Sequence, residues 1–376
     1  LVEYVDLPEI QFVAEDAADI QQNIITMYEG LTDSTLQSAD PVRLFLSSLA
    51  AIIVQQRVLI NRTSKGNLLR YATGIVLDYK GADFGLIRLD ASPSITNLRF
   101  TLSIPLASVT TIPAGTRVGA QGGDGSIYFS TTEYLEIPAG ATTGMVTGEC
   151  STVGTTGNGF MPGQVNVLMD PLPFVQSVTN TTESSGGAAT ETDEAFRERI
   201  RTAPESYSTA GPQGSYEFWA KSASAAILDV HAYSPSEGEV TIVPLLAGGV
   251  IPGEDMLETV AETLEDRGIR PLTDHVTVTA PTAMPYTTTL TYYISRNRAS
   301  EVTAIQTAVT SAVEAYQLWQ KSKLGRDINP SELIARVMAA GALRVNVIAP
   351  VYTLLTATQV AQQGITTLTY GGLVDD

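Results

Sequence analysis

Two histidines, one cysteine and 40 acidic residues are the raw material for chemistry in this sequence. His231 lies in the strand-like run Asp229-Val230-His231-Ala232-Tyr233, and His275 opens another such run. A zinc protease sets two histidines one helical turn apart so that both reach one metal, and these two occupy separate segments. Cys150 stands in a Thr/Gly-rich stretch with no patterned base or cation to lower its pKa. A lone cysteine also excludes an intrachain disulfide and a cysteine-based zinc site. No Gly-x-Ser-x-Gly elbow occurs. Gly154-Thr155-Thr156-Gly157-Asn158-Gly159 is glycine-rich, but Phe160-Met161-Pro162-Gly163 follows it. No helix start is available there to present amides to a phosphate, and no Gly-Lys-Ser/Thr is present. Gln121-Gly122-Gly123-Asp124-Gly125 lacks the ladder of acids that calcium requires, and reads as a hairpin turn. A glycosidase needs two suitably placed carboxylates, which sequence spacing alone does not identify. Such enzymes also offer aromatic platforms. Aromatics are 7% of this chain, and its two tryptophans, Trp219 and Trp319, read as packing or interface anchors. No catalytic, cofactor-binding or metal-binding residue is assigned, and the chain is read as non-enzymatic.

The charge balance narrows the partners. The net charge is −18, and the 22 basic residues are scattered without a Lys/Arg block. Counterion release from a phosphate backbone needs clustered cations, so nucleic acid is not expected as a partner. An anionic membrane surface is disfavoured on the same ground. The composition, 44% hydrophobic, supports packed cores. The longest apolar stretch, Leu44 to Ile60, is interrupted by Ser47, Ser48, Gln55, Gln56 and Arg57, and is read as a soluble helix, not a membrane span. Leu1 to Glu9 carries acids where a secretory signal would have a basic and then an apolar region.

Four segments emerge, giving an α+β multidomain chain. Residues 1–90 read as helical. Asp40-Pro41 is a strong helix start, since Asp caps free amides and Pro fits the first turn. Val42, Phe45, Leu46, Leu49, Ile52, Ile53 and Ile60 follow at helical spacing, a stripe broad enough to join a bundle with other chains. Residues 91–185 read as a β-sandwich or barrel. Short β-prone runs alternate there with turns such as Pro113-Ala114-Gly115 and Pro138-Ala139-Gly140. Residues 181–190 read as a linker, followed by a helix from Glu191 with acids in its first turn. An α/β middle domain spans 186–285. In it Glu254–Arg267 forms a helix that Gly268 stops. A C-terminal α/β domain spans 286–376. It contains a helix over Ser300–Lys321 and a second helix opened by Asn329-Pro330-Ser331-Glu332, a capping-box start.

The order of these marks resembles the baseplate J-like family of contractile-tailed phages and related injection machines. The resemblance rests first on Gly66-Asn67-Leu68-Leu69-Arg70-Tyr71-Ala72, Gly74-Ile75-Val76-Leu77-Asp78, Gly85 and Arg88. It continues through Ile112-Pro113-Ala114-Gly115-Thr116-Arg117-Val118, Tyr128-Phe129-Ser130-Thr131 and Gly154…Gly157-Asn158-Gly159…Gly163. It ends with Gly186-Gly187, Glu191-Thr192-Asp193-Glu194-Ala195-Phe196-Arg197-Glu198-Arg199-Ile200 and Gly211-Pro212-Gln213-Gly214. It implies a structural wedge protein of a tail baseplate, assembled in the host bacterial cytoplasm, that switches conformation when the sheath contracts. The implied partners are a second copy of the chain, a second wedge subunit, a lysozyme-like sheath-initiating subunit and the central hub and spike. The 1–90 helices would enter the wedge core bundle, and the 286–376 domain would supply dimer contacts. A tail-associated glycan- or surface-binding module is the alternative. It would need exposed aromatics in the β domain, where Tyr128, Phe129, Tyr134 and Phe160 read as buried. Asn158 is of a type that tolerates a left-handed backbone, Arg197, Arg199 and Arg201 sit close on the 191–201 helix where they can pair with acids on a neighbour, and 181–190 is the candidate hinge.

Overall fold

The computed structural model describes residues 7–120, 122–123, 125–207, 212–265, 271 and 273–375. The chain divides into two compact units, Leu1–Arg88 with Thr192–Arg201, and Leu89–Glu191 with Thr202–Asp376.

The first unit is helical: α1 (Ala17–Thr32), α2 (Pro41–Gly66), α3 (Gly74–Ala82) and α4 (Asp193–Thr202). Asp16 caps α1 by accepting from Ala18 N at 2.9 Å and Asp19 N at 3.0 Å. Asp40 caps α2 through Val42 N at 2.8 Å, with Pro41 in the first turn as the sequence predicts. A small core of Ile25, Leu36 and Leu46 joins the two helices. Asn61 is a buried clamp on the extended segment before α1. Its Oδ1 accepts from Phe12 N (2.9 Å) and Val13 N (3.0 Å), while Nδ2 donates to Val13 O (2.8 Å) and Glu15 Oε2 (2.9 Å). Lys65 adds an ion pair to Glu9 at 2.6 Å.

The second unit begins with a six-stranded sheet built from β1 (Pro93–Leu102), β3 (Arg117–Ala120), β4 (Tyr128–Thr131), β6 (Thr143–Val153), β7 (Val165–Leu168) and β8 (Val175–Asn180), in the order β7-β3-β4-β6-β1-β8. A small pair, β2 (Thr110–Ile112) and β5 (Leu135–Ile137), lies beside it. Leu98, Phe100, Val118, Phe129, Val146 and Val165 fill the interior. The sheet nearly closes because its two ends meet at Asn180. This residue, 1% exposed, accepts from Val165 N at 2.9 Å. It also donates to Phe160 O (3.2 Å), Met161 O (3.0 Å) and Thr182 O (2.8 Å). One side chain thus supplies the ladder bonds that the two strand ends would otherwise lack.

The 181–190 stretch, expected as a linker and hinge, is instead sewn to this barrel. Ile95 and Ser185 exchange backbone bonds at 2.9 and 3.1 Å, as do Ser92 and Ala188 at 2.9 and 3.0 Å. Ser184 is buried and donates to Gly157 O at 2.6 Å. Its polar composition satisfies a sheet edge and gives no sign of a free joint.

Two three-stranded mixed sheets follow. The first has β10 (Glu239–Leu246) between antiparallel β9 (Ile227–Ser236) and parallel β11 (His275–Val278), covered by α5 (Gln213–Ser222) and α6 (Glu254–Glu265). Gly268, the expected stop of α6, and Arg267 lie outside the described residues, as do Gly211, Gln121 and Asp124 of the motifs above. The second sheet has β12 (Thr282–Ser295) between antiparallel β13 (Arg344–Ala349) and parallel β14 (Gln359–Val374). Its core takes Ile305, Val309, Val313 and Tyr316 from α7 (Val302–Lys321) and Leu333 and Val337 from α8 (Pro330–Ala339). Asn329 caps α8 through Ser331 N at 2.9 Å. The expected box stays half-formed, because Glu332 pairs with Arg336 at 2.8 Å. Val243, Leu245, Leu324 and Val360 form a further cluster that joins the two sheets.

One ion pair at the barrel yields a pH test. Arg117 grips Asp170 at 2.6 Å, and its side-chain and backbone donors lower the carboxyl from 3.8 to about 2. A depressed carboxyl stabilises the fold above its unfolded pKa, and that contribution fades as pH falls toward about 2. Asp170→Asn is therefore expected to lower thermal stability near neutral pH, with the difference from the parent chain closing in acid. Thermal melts across pH check this.

Candidate functional site

The histidines, the cysteine and the tryptophans take structural places. The His231 ring stacks on Tyr233 at 5.7 Å, and His275 opens β11 on the surface. Cys150 is buried inside the barrel. Trp219 packs edge-on against Phe218. Trp319 carries the Arg326 guanidinium over its ring at 4.2 Å and that of Arg336 at 5.5 Å. Among the described residues, no group of three or more His, Cys, Asp or Glu is placed to hold a metal. Of the four barrel aromatics expected to be buried, Phe129 is fully buried and Tyr128 and Phe160 are half-buried, but Tyr134 is 63% exposed.

The sequence marks become joints of the fold. Gly115 takes a positive φ of 80°, which turns the chain between β2 and β3. The Thr116 hydroxyl donates to Pro113 O at 2.7 Å, and the Thr131 hydroxyl donates to the same carbonyl at 2.8 Å. Thr131 also accepts from Thr116 N at 3.0 Å, so the Pro-Ala-Gly-Thr turn and the Phe-x-Thr strand lock together. In the Gly154–Gly163 loop, a Cβ on Gly157 would lie 2.0 Å from Ser94 Oγ and 2.6 Å from Cys150 Sγ. Asn158 has φ −78° and ψ 153°, so the left-handed backbone that an asparagine tolerates is not used here. What matters there is its amide, which exchanges two bonds with the Gly187 backbone at 2.8 and 2.9 Å. A Cβ on Gly187 would meet Gly154 O at 2.4 Å, so the two motifs, distant in sequence, require each other.

In the helical unit, α4 is the keystone. Asp193 accepts from Gly74 N at 3.0 Å, capping α3, whose own Thr73 makes no side-chain cap. Arg88 pairs with both Asp78 and Asp193 at 2.6 Å. The Gly74 amide and then Arg88 hold Asp193 below the usual carboxylate range. Phe196 is fully buried, with the Arg88 and Arg199 guanidinium groups 5.0 and 5.2 Å from its ring. The arginines of α4 make their described bonds within the unit. Arg197 donates to Leu69 O at 2.9 Å and Ala72 O at 2.7 Å, Arg199 to Ile87 O, and Arg201 pairs with Glu198 on its own helix. Arg197 and Arg199 thus satisfy backbone carbonyls in the segments that flank α3.

The same unit carries, among the described residues, a run of exposed apolar side chains on its helices. Of the 26 residues of α2, the buried ones are Leu46, Ala50 and Asn61. Phe45, Ile52 and Leu59, seven residues apart, are 61%, 54% and 52% exposed. Leu44, Ile53 and Ile60 are exposed as well, and so are Met27 and Leu31 on α1 and Ile75 and Tyr79 on α3. By length and composition α2 could also cross a membrane, a property the sequence reading did not grant it. The stripe is thus as long as expected, but only its start, Val42 and Leu46, joins the small core with α1, while Phe45, Ile52 and Leu59 stay exposed.

Residues 97–187 match the model of the baseplate J-like protein barrel domain, and residues 208–280 match that of the baseplate J-like central domain. Less than half of the chain is thus similar to two domains of baseplate J-like proteins. Baseplate protein J of Escherichia phage P2 is 34% identical over 164 residues. That alignment covers 43% of this chain and 53% of the phage protein, so the chain spans about half the length of this curated relative. Among solved structures, the cryo-EM structure of the anti-feeding prophage baseplate, six-fold symmetrised, aligns over 92% of this chain and 89% of its own. The identity is 15% and the TM-score 0.35. The barrel match includes Asn158, Asn180 and Gly187, and thus the joints described above.

Proposed function

We propose that this chain is a baseplate J-like protein and a structural wedge subunit of a contractile-tail baseplate. Two copies join one copy of a second wedge subunit, and wedges surround the central hub and spike and meet a lysozyme-like sheath-initiating subunit. The protein resides in the tail baseplate of the particle after assembly in the bacterial cytoplasm, and rearranges when the sheath contracts. It catalyses no reaction. The observation that carries this reading is the exposed apolar face of α2. A helix apolar on most sides is stable in water only when other surfaces cover it. Membrane insertion is disfavoured, because Asn61 and Arg57 on α2 are tied to the polar backbone of residues 12–14. A multichain helix bundle covers such a face and leaves those ties intact.

Deleting the gene and imaging the particles by electron microscopy tests the reading. Sheathed tails with baseplates are expected to vanish, and to return on complementation. Intact contractile tails that assemble but fail to attach to cells would overturn it in favour of a peripheral surface-binding module.

A further inference from the structure

β12 outruns its neighbour on one side. Its ladder with β14 runs from Thr282 to Ser295, but β13 ends at Ala349, opposite Thr289. Thr282 N donates to Thr358 O at 3.0 Å, on the β14 side. Alternate residues of a strand turn their main-chain groups the same way, so Ala283, Pro285 and Thr287 turn theirs to the side that β13 has left. All three are exposed. Among the described residues, the β13 ladder stops at Thr289 and no other main-chain bond reaches them from that side. Pro285 has no N–H, which blunts this edge against long pairing. What remains is a short site made of both main-chain groups of Thr287 and the carbonyl of Pro285.

A groove lies along this open edge. Past Ala349 the chain crosses to Ile328, where Ile328 N donates to Thr353 O at 2.9 Å and Thr353 N to Ile328 O at 3.2 Å. Beside that bridge and the edge is a cavity of about 370 Å³, walled by Met284, Ile328, Ala349, Pro350, Val351 and Thr353. Its size falls at the lower end of ligand pockets, roughly 300–1,000 Å³, and its walls are mostly apolar. Next to the Ile328 wall, Asp327 accepts from Leu355 N at 2.9 Å and from the Tyr352 hydroxyl at 2.8 Å. These donors, the Leu355 amide first, hold its carboxyl below the usual carboxylate range. The rim therefore carries a fixed negative charge, while the lining residues carry none.

We propose that this groove docks an extended segment of a different polypeptide, which pairs with β12 at Thr287, sinks one apolar side chain into the cavity and sets a Lys or Arg beside Asp327. Two features select that occupant. Free edge groups require a main chain in extended form, and a pocket beside an edge takes a side chain from it, the arrangement of strand addition. A small apolar molecule would fill the cavity and leave Thr287 without a partner. Charge selects a cationic segment of another protein, since a net charge of −18 repels a second copy of this chain and attracts a basic one. The site belongs to the folded chain and does not depend on the wedge reading.

The test uses the purified full chain and dye-labelled peptides of the pattern Lys-Thr-Val-Leu-Val-Thr-Lys, with the central leucine varied to Val, Ile, Met or Phe. Each has a control in which both valines are prolines, which keeps the charge and breaks strand pairing. Fluorescence anisotropy reads affinity, and amide hydrogen exchange reads protection at Thr287. At least one peptide is expected to bind roughly tenfold tighter than its proline control and to slow exchange at Thr287. Val351→Lys, at a residue 69% exposed, is expected to keep the fold by circular dichroism and to lose that preference. Should it fail to fold, Ala349→Phe, which fills the cavity, gives the same readout. No protection at Thr287 from any peptide overturns the proposal. Equal binding of the proline controls also overturns it, since charge alone then attracts the peptides. A preference that survives in the variant overturns it too, because the apolar side chain then sits elsewhere.

Discussion

Replacing Ile52 and Leu59 on α2 with aspartate is expected to leave the chain folded and to abolish baseplate assembly. Both side chains are about half exposed in the isolated chain, so the free protein exchanges one solvated group for another. Surface changes of this kind usually alter stability by no more than about 0.5 kcal/mol. In a bundle the same positions lie against another helix. Two unpaired carboxylates there would each lose hydration without compensation, at a cost of roughly 3–5 kcal/mol by analogy with broken buried ion pairs. That exceeds what a helix interface can absorb, because each 1.4 kcal/mol is about a tenfold change in affinity. Circular dichroism of the purified variant and electron microscopy of particles from complemented cells check the two halves separately. Loss of folding would mean that α2 is a core helix of its own chain, and normal baseplates would mean that this face is not covered in the particle.

The second large effect is expected at the barrel seam. Asn180→Leu keeps the approximate volume but removes four bonds to the backbone of Phe160, Met161, Val165 and Thr182. Each buried backbone group left without a partner costs about 1–3 kcal/mol, and a sum of roughly 3–5 kcal/mol is expected because some of the freed carbonyls can reach water. The barrel should melt earlier than in the parent chain, while the helical unit keeps its own transition. Differential scanning calorimetry, with amide hydrogen exchange at Val165, separates local from global loss. An unchanged melting profile would show that the strand ends meet without this amide. Asn180→Asp is expected to fall between the two, because it keeps an acceptor for Val165 N and loses the donors.

These two sites differ in how they show themselves in a sequence. Asp16, Asp40 and Asn329 cap helices through neighbours two or three residues away, and Gly115 turns the chain within its own four residues. Such features are local, so residue type and spacing determine them, as they determined the helix stripes, the β segment and the absence of any nucleophile or metal pattern. The stripe of α2 was equally legible, but its environment was not. An apolar periodicity shows that a face will be covered and does not identify the covering surface. Only the tertiary structure decided that Phe45, Ile52 and Leu59 are left outside. It likewise decided that Asn158 works through its side chain on Gly187, and that Arg197 and Arg199 serve carbonyls more than a hundred residues away. It also showed that residues 181–190 complete a sheet edge. Each of these is a bond between residues far apart in sequence. A polar side chain has the same composition whether it faces water, a partner subunit or an orphan carbonyl, and only the folded backbone decides which of them lies within 3 Å.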